Sequence, residues 1–310
     1  MPTLDPPPLD LAAWRARGSV RPLLGHAIFH VDSAPDGAAQ RPALLLVHGF
    51  PTASWDFAKL WPALVRDFRV VAADMLGFGF SAKPKTHRYS IFEQADLLEA
   101  LVAELGIERY HVLAHDYGDT VAQELLARDR ERRAPRLASV CLLNGGLFPE
   151  THRALPIQKL LPGPLGPLVT RLTNRRAFER SMRRTFGAHT PPSADELDSF
   201  WRLVTHDEGH RIFHRLIPYM RERRENRERW VGALTEAHVP LALVAGMDDP
   251  ISGGHMVARY REVVGHGYVA ELAGIGHYPQ VEDPALVLEH FRAFIAGARA
   301  PRSPRLEPAG

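Results

Sequence analysis

Leu113-Ala114-His115-Asp116-Tyr117-Gly118-Asp119 is the stretch on which the fold of this chain turns. Before it runs Tyr110–Ala114 (YHVLA), a short apolar run of strand character. After it comes a helical pattern over Thr120–Arg128. A strand that reverses into a helix this sharply leaves no room for bulk two places either side of the turn. Ala114 and Gly118 fill those two places. This is the geometry of a nucleophile elbow, which lifts one side chain above the end of a sheet; Asp116 stands where such elbows usually carry Ser. Taken alone, Asp116 reads more simply as a helix N-cap. Its distant partners decide between the two.

Further buried-strand runs lie at Ala43–Val47 (ALLLV), Arg69–Ala73 (RVVAA), Ala138–Leu143 (ASVCLL), Leu241–Ala245 (LALVA) and Tyr268–Leu272 (YVAEL). They are largely continuous rather than alternating, as strands covered on both faces require. Helical patterns lie between them, at Ser54–Phe68, at Ser90–Leu105 with Gly106 as its stop, and at Pro284–Ala298. Such alternation predicts an α/β fold, a mostly parallel sheet flanked by helices. The alternation stops between about Phe148 and Ala237, which hold a Pro/Gly cluster (LPGPLGPL, 161–168) and helix-like pieces but no clear strand. The expected division is a first core segment, 1–148, an inserted helical cap, 149–235, and a second core segment, 236–298. The Pro- and Arg-rich 299–310 reads as a disordered tail and 1–20 as a loose lead-in. RERRENRER (221–229) reads as a solvated helix face.

Two more strand ends carry chemistry. His277 follows the last strand in AGIGHYPQVEDP (273–284), where a glycine-rich loop can present its ring. A histidine base needs an acid to fix its tautomer. Asp248 and Asp249, in AGMDDP after the penultimate strand, are the two choices. The chain order is nucleophile, acid, base, which is the order found on α/β-hydrolase sheets. His48-Gly49-Phe50-Pro51 follows the first buried strand. It offers the N–H of Phe50, which with the N–H of Tyr117 makes an expected oxyanion hole. His48, His115 and Asn144 flank these loops and are candidate substrate contacts. Asp74–Ser81 reads as a structural glycine bend, and Asp119 as a first-turn acid that favours the helix dipole.

Composition bounds the remainder. A chain of 310 residues, 45% apolar, supports one sizeable core with an insertion. A net charge of +2 gives no reason to expect nucleic acid as a partner. The single cysteine, Cys141, excludes an internal disulfide and fits a reducing, cytoplasmic setting. The N-terminus has no signal-peptide h-region, and no run of about 18 apolar residues predicts a membrane span. No Cys/His cluster at metal-binding spacing and no phosphate loop occur, so neither metal nor cofactor is expected. Arginine far outnumbers lysine, as in a bacterial protein from a GC-rich genome. The oligomeric state stays open.

HGFP, DMLGFGFS, the Asp elbow and GIGHYP together resemble the epoxide hydrolase and haloalkane dehalogenase branch of the α/β-hydrolases, over about residues 25–298. HDYGDTVAQELL, NGGLFPETHR, RERWVGAL and HYPQVEDP resemble the mesoderm-specific transcript subgroup of that branch. The resemblance implies Asp116 as nucleophile, His277 as base and Asp249, from the Gly-x-x-Asp-Pro pattern, as acid. It implies attack at sp³ carbon of a small apolar substrate, giving an alkyl ester that water then hydrolyses. Halide release in this branch uses an Asn and a Trp where this chain has Phe50 and Tyr117, which favours an epoxide. Ring opening needs an acid, which cap tyrosines supply in epoxide hydrolases. Tyr219 is the one tyrosine from 149 to 235, with His152, His189, His206, His210 or His214 as substitutes for the missing second one. A haloalkane dehalogenase is the alternative, and a binding protein without turnover a third reading.

Overall fold

The computed structural model describes residues 9–37, 39–153 and 160–299. Its centre is an eight-stranded sheet in the order β1-β2-β4-β3-β5-β6-β7-β8. The strands are β1 (Ser19–Leu23), β2 (His26–Asp32), β3 (Ala43–Val47), β4 (Arg69–Ala73), β5 (Tyr110–His115), β6 (Leu137–Leu143), β7 (Leu241–Gly246) and β8 (Tyr268–Leu272). From β4 to β8 all pairings are parallel; β1 and β2 join antiparallel at one edge. The apolar runs form the strands because both faces are covered. Leu45, Val47 and Val112 pack into one core cluster, and Leu44, Leu46 and Leu113 into the other.

The central pair sets the site. β3 lies beside β5 with Val47 level with Ala114. The loop after β3 and the turn after β5 therefore leave the sheet side by side, where strand order reverses direction. Ligands of open α/β sheets bind at such switch points.

The helices before the insertion are α1 (Leu11–Arg17), α2 (Trp61–Leu64), α3 (Ile91–Glu104) and α4 (Tyr117–Glu131). The described residues between β6 and β7 hold α5 (Gly166–Leu172), α6 (Arg175–Arg183), α7 (Ala194–Thr205), α8 (Phe213–Leu216), α9 (Tyr219–Glu225) and α10 (Arg227–Thr235), and no strand. An inserted helical region thus interrupts the sheet's strand–helix alternation. After β7 come α11 (Gly254–Val263), α12 (Pro279–Glu282) and α13 (Pro284–Arg299).

Three expectations need correction. Residues 11–23 are not loose: Asp10 caps α1, accepting from Ala13 N at 2.7 Å, Trp14 is fully buried, and β1 follows. Ser54–Phe68 is not one helix but a 3-10 turn (Ser54–Phe57) and the single-turn α2. Pro62 stands inside that span with no N–H to continue a helix, so α2 starts afresh there, while Asp74 Oδ1 accepts from both the N–H and the hydroxyl of Ser54 and ties the start of the segment to the loop after β4. The charged run 221–229 is not wholly solvated, because Arg223 is buried. The tail expected to be disordered lies, apart from Arg299, outside the described residues.

Candidate active site

Asp116 stands between β5 and α4 with φ 49°, the left-handed region that a β-carbon disfavours. Its N–H donates to the Leu143 carbonyl at 3.1 Å. A β-carbon on Gly118 would stand 2.2 Å from the Val47 carbonyl oxygen, so only glycine lets the turn sit this close to β3. The turn holds the Asp116 carboxylate above the sheet, 4% exposed, at the floor of a cavity of about 330 Å³.

His277 reaches the same point from the loop after β8. Its Nε2 lies 3.9 Å from Asp116 Oδ1, and its Nδ1 lies 2.8 Å from Asp249 Oδ2. Asp249, not Asp248, is the acid that meets the ring. Asp249 Oδ2 also accepts from Asn144 Nδ2 at 3.0 Å and from the Ser252 hydroxyl at 2.9 Å. Burial works against the Asp249 charge, but His277 and these donors outweigh it and hold its pKa below the ordinary value. His277 is also buried, which disfavours its cation, yet Asp249 and then Asp116 raise it to about 9. The resting ring is therefore an imidazolium between two carboxylates.

The Phe50 N–H donates to Asp116 Oδ2 at 3.1 Å. Tyr117 opens α4, so its N–H is one of the first-turn donors that no helix carbonyl satisfies. Asn144 clasps β7 rather than ligand: its amide donates to Gly246 O at 2.9 Å and accepts from Gly246 N at 2.7 Å. His48 and His115 are buried and do not line the cavity. His48 Nε2 accepts from Met75 N at 3.0 Å, leaving Nδ1 to donate to Gly49 O at 2.8 Å. His115 Nε2 donates to the carbonyl of His277 at 2.7 Å and so braces that loop from behind. Burial and the His277 charge push His115 down to about 3, so it stays neutral. Asp119 is fully buried, and burial raises its carboxyl well above the usual range.

The chamber wall is apolar, with Phe50 and Ile251 from the sheet side and Val169, Phe178, Met182 and Phe213 from the inserted helices. Asp116 and His277 are the ionisable pair at its floor. Tyr219 is buried and packs edge-on to Tyr117, with ring centroids 4.7 Å apart; its hydroxyl has no partner. It does not figure in the described chamber lining, and neither do His152, His189, His206, His210 or His214. Tyr278 does line the chamber, a residue that sequence reading passed over although it directly follows His277. Half-buried His26, His87 and Glu93 group elsewhere, with ligand atoms within 4.8 Å of one another.

A family model for the alpha/beta hydrolase fold matches residues 42–284. The chain belongs to the α/β-hydrolase family. The mesoderm-specific transcript homolog protein of Bos taurus is 43% identical over 304 residues, covering 94% of this chain and 90% of that protein. The Mus musculus mesoderm-specific transcript protein matches to the same extent. Among solved structures, haloalkane dehalogenase DbeA from Bradyrhizobium elkani superposes with a TM-score of 0.76 at 22% identity, covering 91% of this chain and 98% of that one. Epoxide hydrolase CorEH gives 0.74 at 21%, covering 91% and 99%. At these identities the structural likeness speaks for the fold. The α/β-hydrolase has no helix, among its described residues, long and apolar enough to cross a membrane.

Proposed function

We propose that this α/β-hydrolase opens epoxides of small apolar substrates through an ester on Asp116, with residues 149–235 as a cap over the reacting centre. The observation that supports this most is the carboxylate itself. Asp116 stands at the turn where a nucleophile stands, facing an apolar chamber and 3.9 Å from a histidine held by Asp249. Carboxylates attack strained sp³ carbon better than they attack esters, whose alkoxides leave poorly.

In the first step an Asp116 oxygen bonds to the epoxide carbon and the carbon–oxygen bond of the ring breaks. Tyr278, which lines the chamber where Tyr219 does not and which burial keeps protonated, gives its proton to the opening oxygen. Alkylation removes the Asp116 charge and with it one cause of the raised His277 pKa. The imidazolium then yields a proton to the phenolate and becomes the base. In the second step His277 takes a proton from water, and the hydroxide attacks the ester carbonyl. The N–H groups of Phe50 and Tyr117 hold the oxyanion. Collapse frees the diol, whose oxygen takes the proton of the regenerated carboxyl, and restores Asp116. Asp249 keeps the ring in the tautomer that points Nε2 at the ester.

Halide release finds less support, since the side chains at 50 and 117 offer no N–H donor to a leaving ion. The test is intact-mass spectrometry of His277→Gln with styrene oxide. The expected result is an adduct of the whole epoxide mass on Asp116, absent in Asp116→Asn/His277→Gln. Bromoalkane adducts with no epoxide adduct would replace this reading with dehalogenation. No adduct from either would remove the covalent route.

A further inference from the structure

Arg223 lies in the charged run of α9 but is 3% exposed. Its Nε donates to Thr120 Oγ1 at 2.6 Å and its Nη2 to the carbonyl of Asp116 at 3.2 Å. Nη1 is buried with no partner. Its Cζ stacks over the Tyr219 ring, 4.6 Å from the centroid, and among the described residues its hydrogen-bond acceptors are a hydroxyl and a carbonyl rather than a carboxylate. Beside it both ring nitrogens of His152 are buried and unpartnered. Burial and the Arg223 charge push His152 down to about 4, so the ring is neutral and has one N–H to give.

Both side chains line a second cavity, of about 740 Å³, together with Arg153, Arg221 and Arg224; no acidic side chain is among its described lining. Gly146 leaves the space that brings the two groups together. A β-carbon there would stand 2.4 Å from Arg223 Nη1 and 3.0 Å from His152 Nδ1. A guanidinium buried without a counter-charge is costly unless an anion completes it. A free guanidinium N–H beside an imidazole N–H suits two oxygens of one carboxylate or phosphate.

We propose that Arg223 and His152 form a binding site for an oxyanion, the carboxylate or phosphate group of an acidic ligand, behind the Asp116 turn. The site stands apart from the apolar chamber and holds whether or not epoxides are turned over. Arg223 also holds the Asp116 carbonyl, so an occupied site braces the turn.

Calorimetric titration with inorganic phosphate, at constant ionic strength, tests it without any turnover. The wild type is expected to bind saturably. Arg223→Gln and His152→Ala should each raise Kd at least tenfold. Gly146→Ala keeps both groups yet fills the space between them, and should weaken binding likewise even if Arg223→Gln fails to fold. Wild-type protein that binds no phosphate, or variants that keep the wild-type Kd, overturn the proposal. Acetate titrated beside phosphate separates the two ligand chemistries. Acetate that binds and is displaced by phosphate makes the site a general oxyanion site open to carboxylates. Phosphate binding without acetate binding makes the ligand a phosphate.

Discussion

Asp116 occupies a backbone conformation that costs roughly 1–2 kcal/mol for a residue with a β-carbon. The strain persists because the turn is held from three sides. Leu143 takes its N–H, while Asp119 N and Arg223 donate to its carbonyl. The proposed base is likewise held from two sides, by Asp249 on the ring and by His115 on the main chain. Asp249→Asn keeps a hydrogen-bonding shape but removes the charge that raises His277 and fixes its tautomer. Ester hydrolysis should slow by ~10²–10⁴-fold, while alkylation of Asp116 slows far less. Single-turnover mass spectrometry checks this through the lifetime of the adduct. An adduct that clears at the wild-type rate would deny Asp249 its role.

Elements meet through a few buried polar anchors. Glu124 on α4 is 1% exposed and joins three partners. It accepts from Arg128 Nε at 2.7 Å, Arg229 Nε at 2.8 Å and Trp230 Nε1 at 2.8 Å. Two of these stand on α10, so one carboxylate fastens the last inserted helix to the helix that follows Asp116. Glu124→Ala leaves the buried Trp230 indole N–H without its acceptor, while Arg128 keeps Asp96 and Glu99 and Arg229 keeps Glu131, and should destabilise the protein by about 1–3 kcal/mol in urea unfolding. The exposed pair Arg292–Asp67, at 3.0 Å, should show a far smaller effect on breaking. Equal losses from both would mean that Glu124 acts by helix propensity alone.

Across the whole molecule, His277 couples stability to pH. Its folded pKa, about 9, lies above the ordinary 6.5. The folded state therefore holds this proton more tightly than the unfolded chain does. The stabilisation is complete below pH 6.5 and is lost as pH rises through 9. The difference in unfolding free energy between wild type and His277→Gln should shrink steadily across that window. A difference that is constant or grows with pH would mean that the imidazolium is not held by Asp249 and Asp116.

The sequence by itself determined the sheet's interior, the strand ends that carry Asp116, Asp249 and His277, and the helical character of the insertion. Strands buried on both faces must be apolar throughout, and a tight elbow must have small neighbours, so both leave local marks such as ALLLV and Ala114…Gly118. The edge left weaker marks. β1 (SVRPL) carries Pro22 and exposes Val20, so no apolar run announces it. Only the tertiary structure decided which polar groups meet. Nothing near Arg223 in sequence shows that it is buried against Thr120 and the Asp116 carbonyl, more than 100 residues away. Nothing near Tyr219 or Tyr278 tells which of the two lines the chamber. Periodicity records how deeply a segment is buried; the partner of a buried polar atom depends on how separate segments dock, which no local pattern encodes.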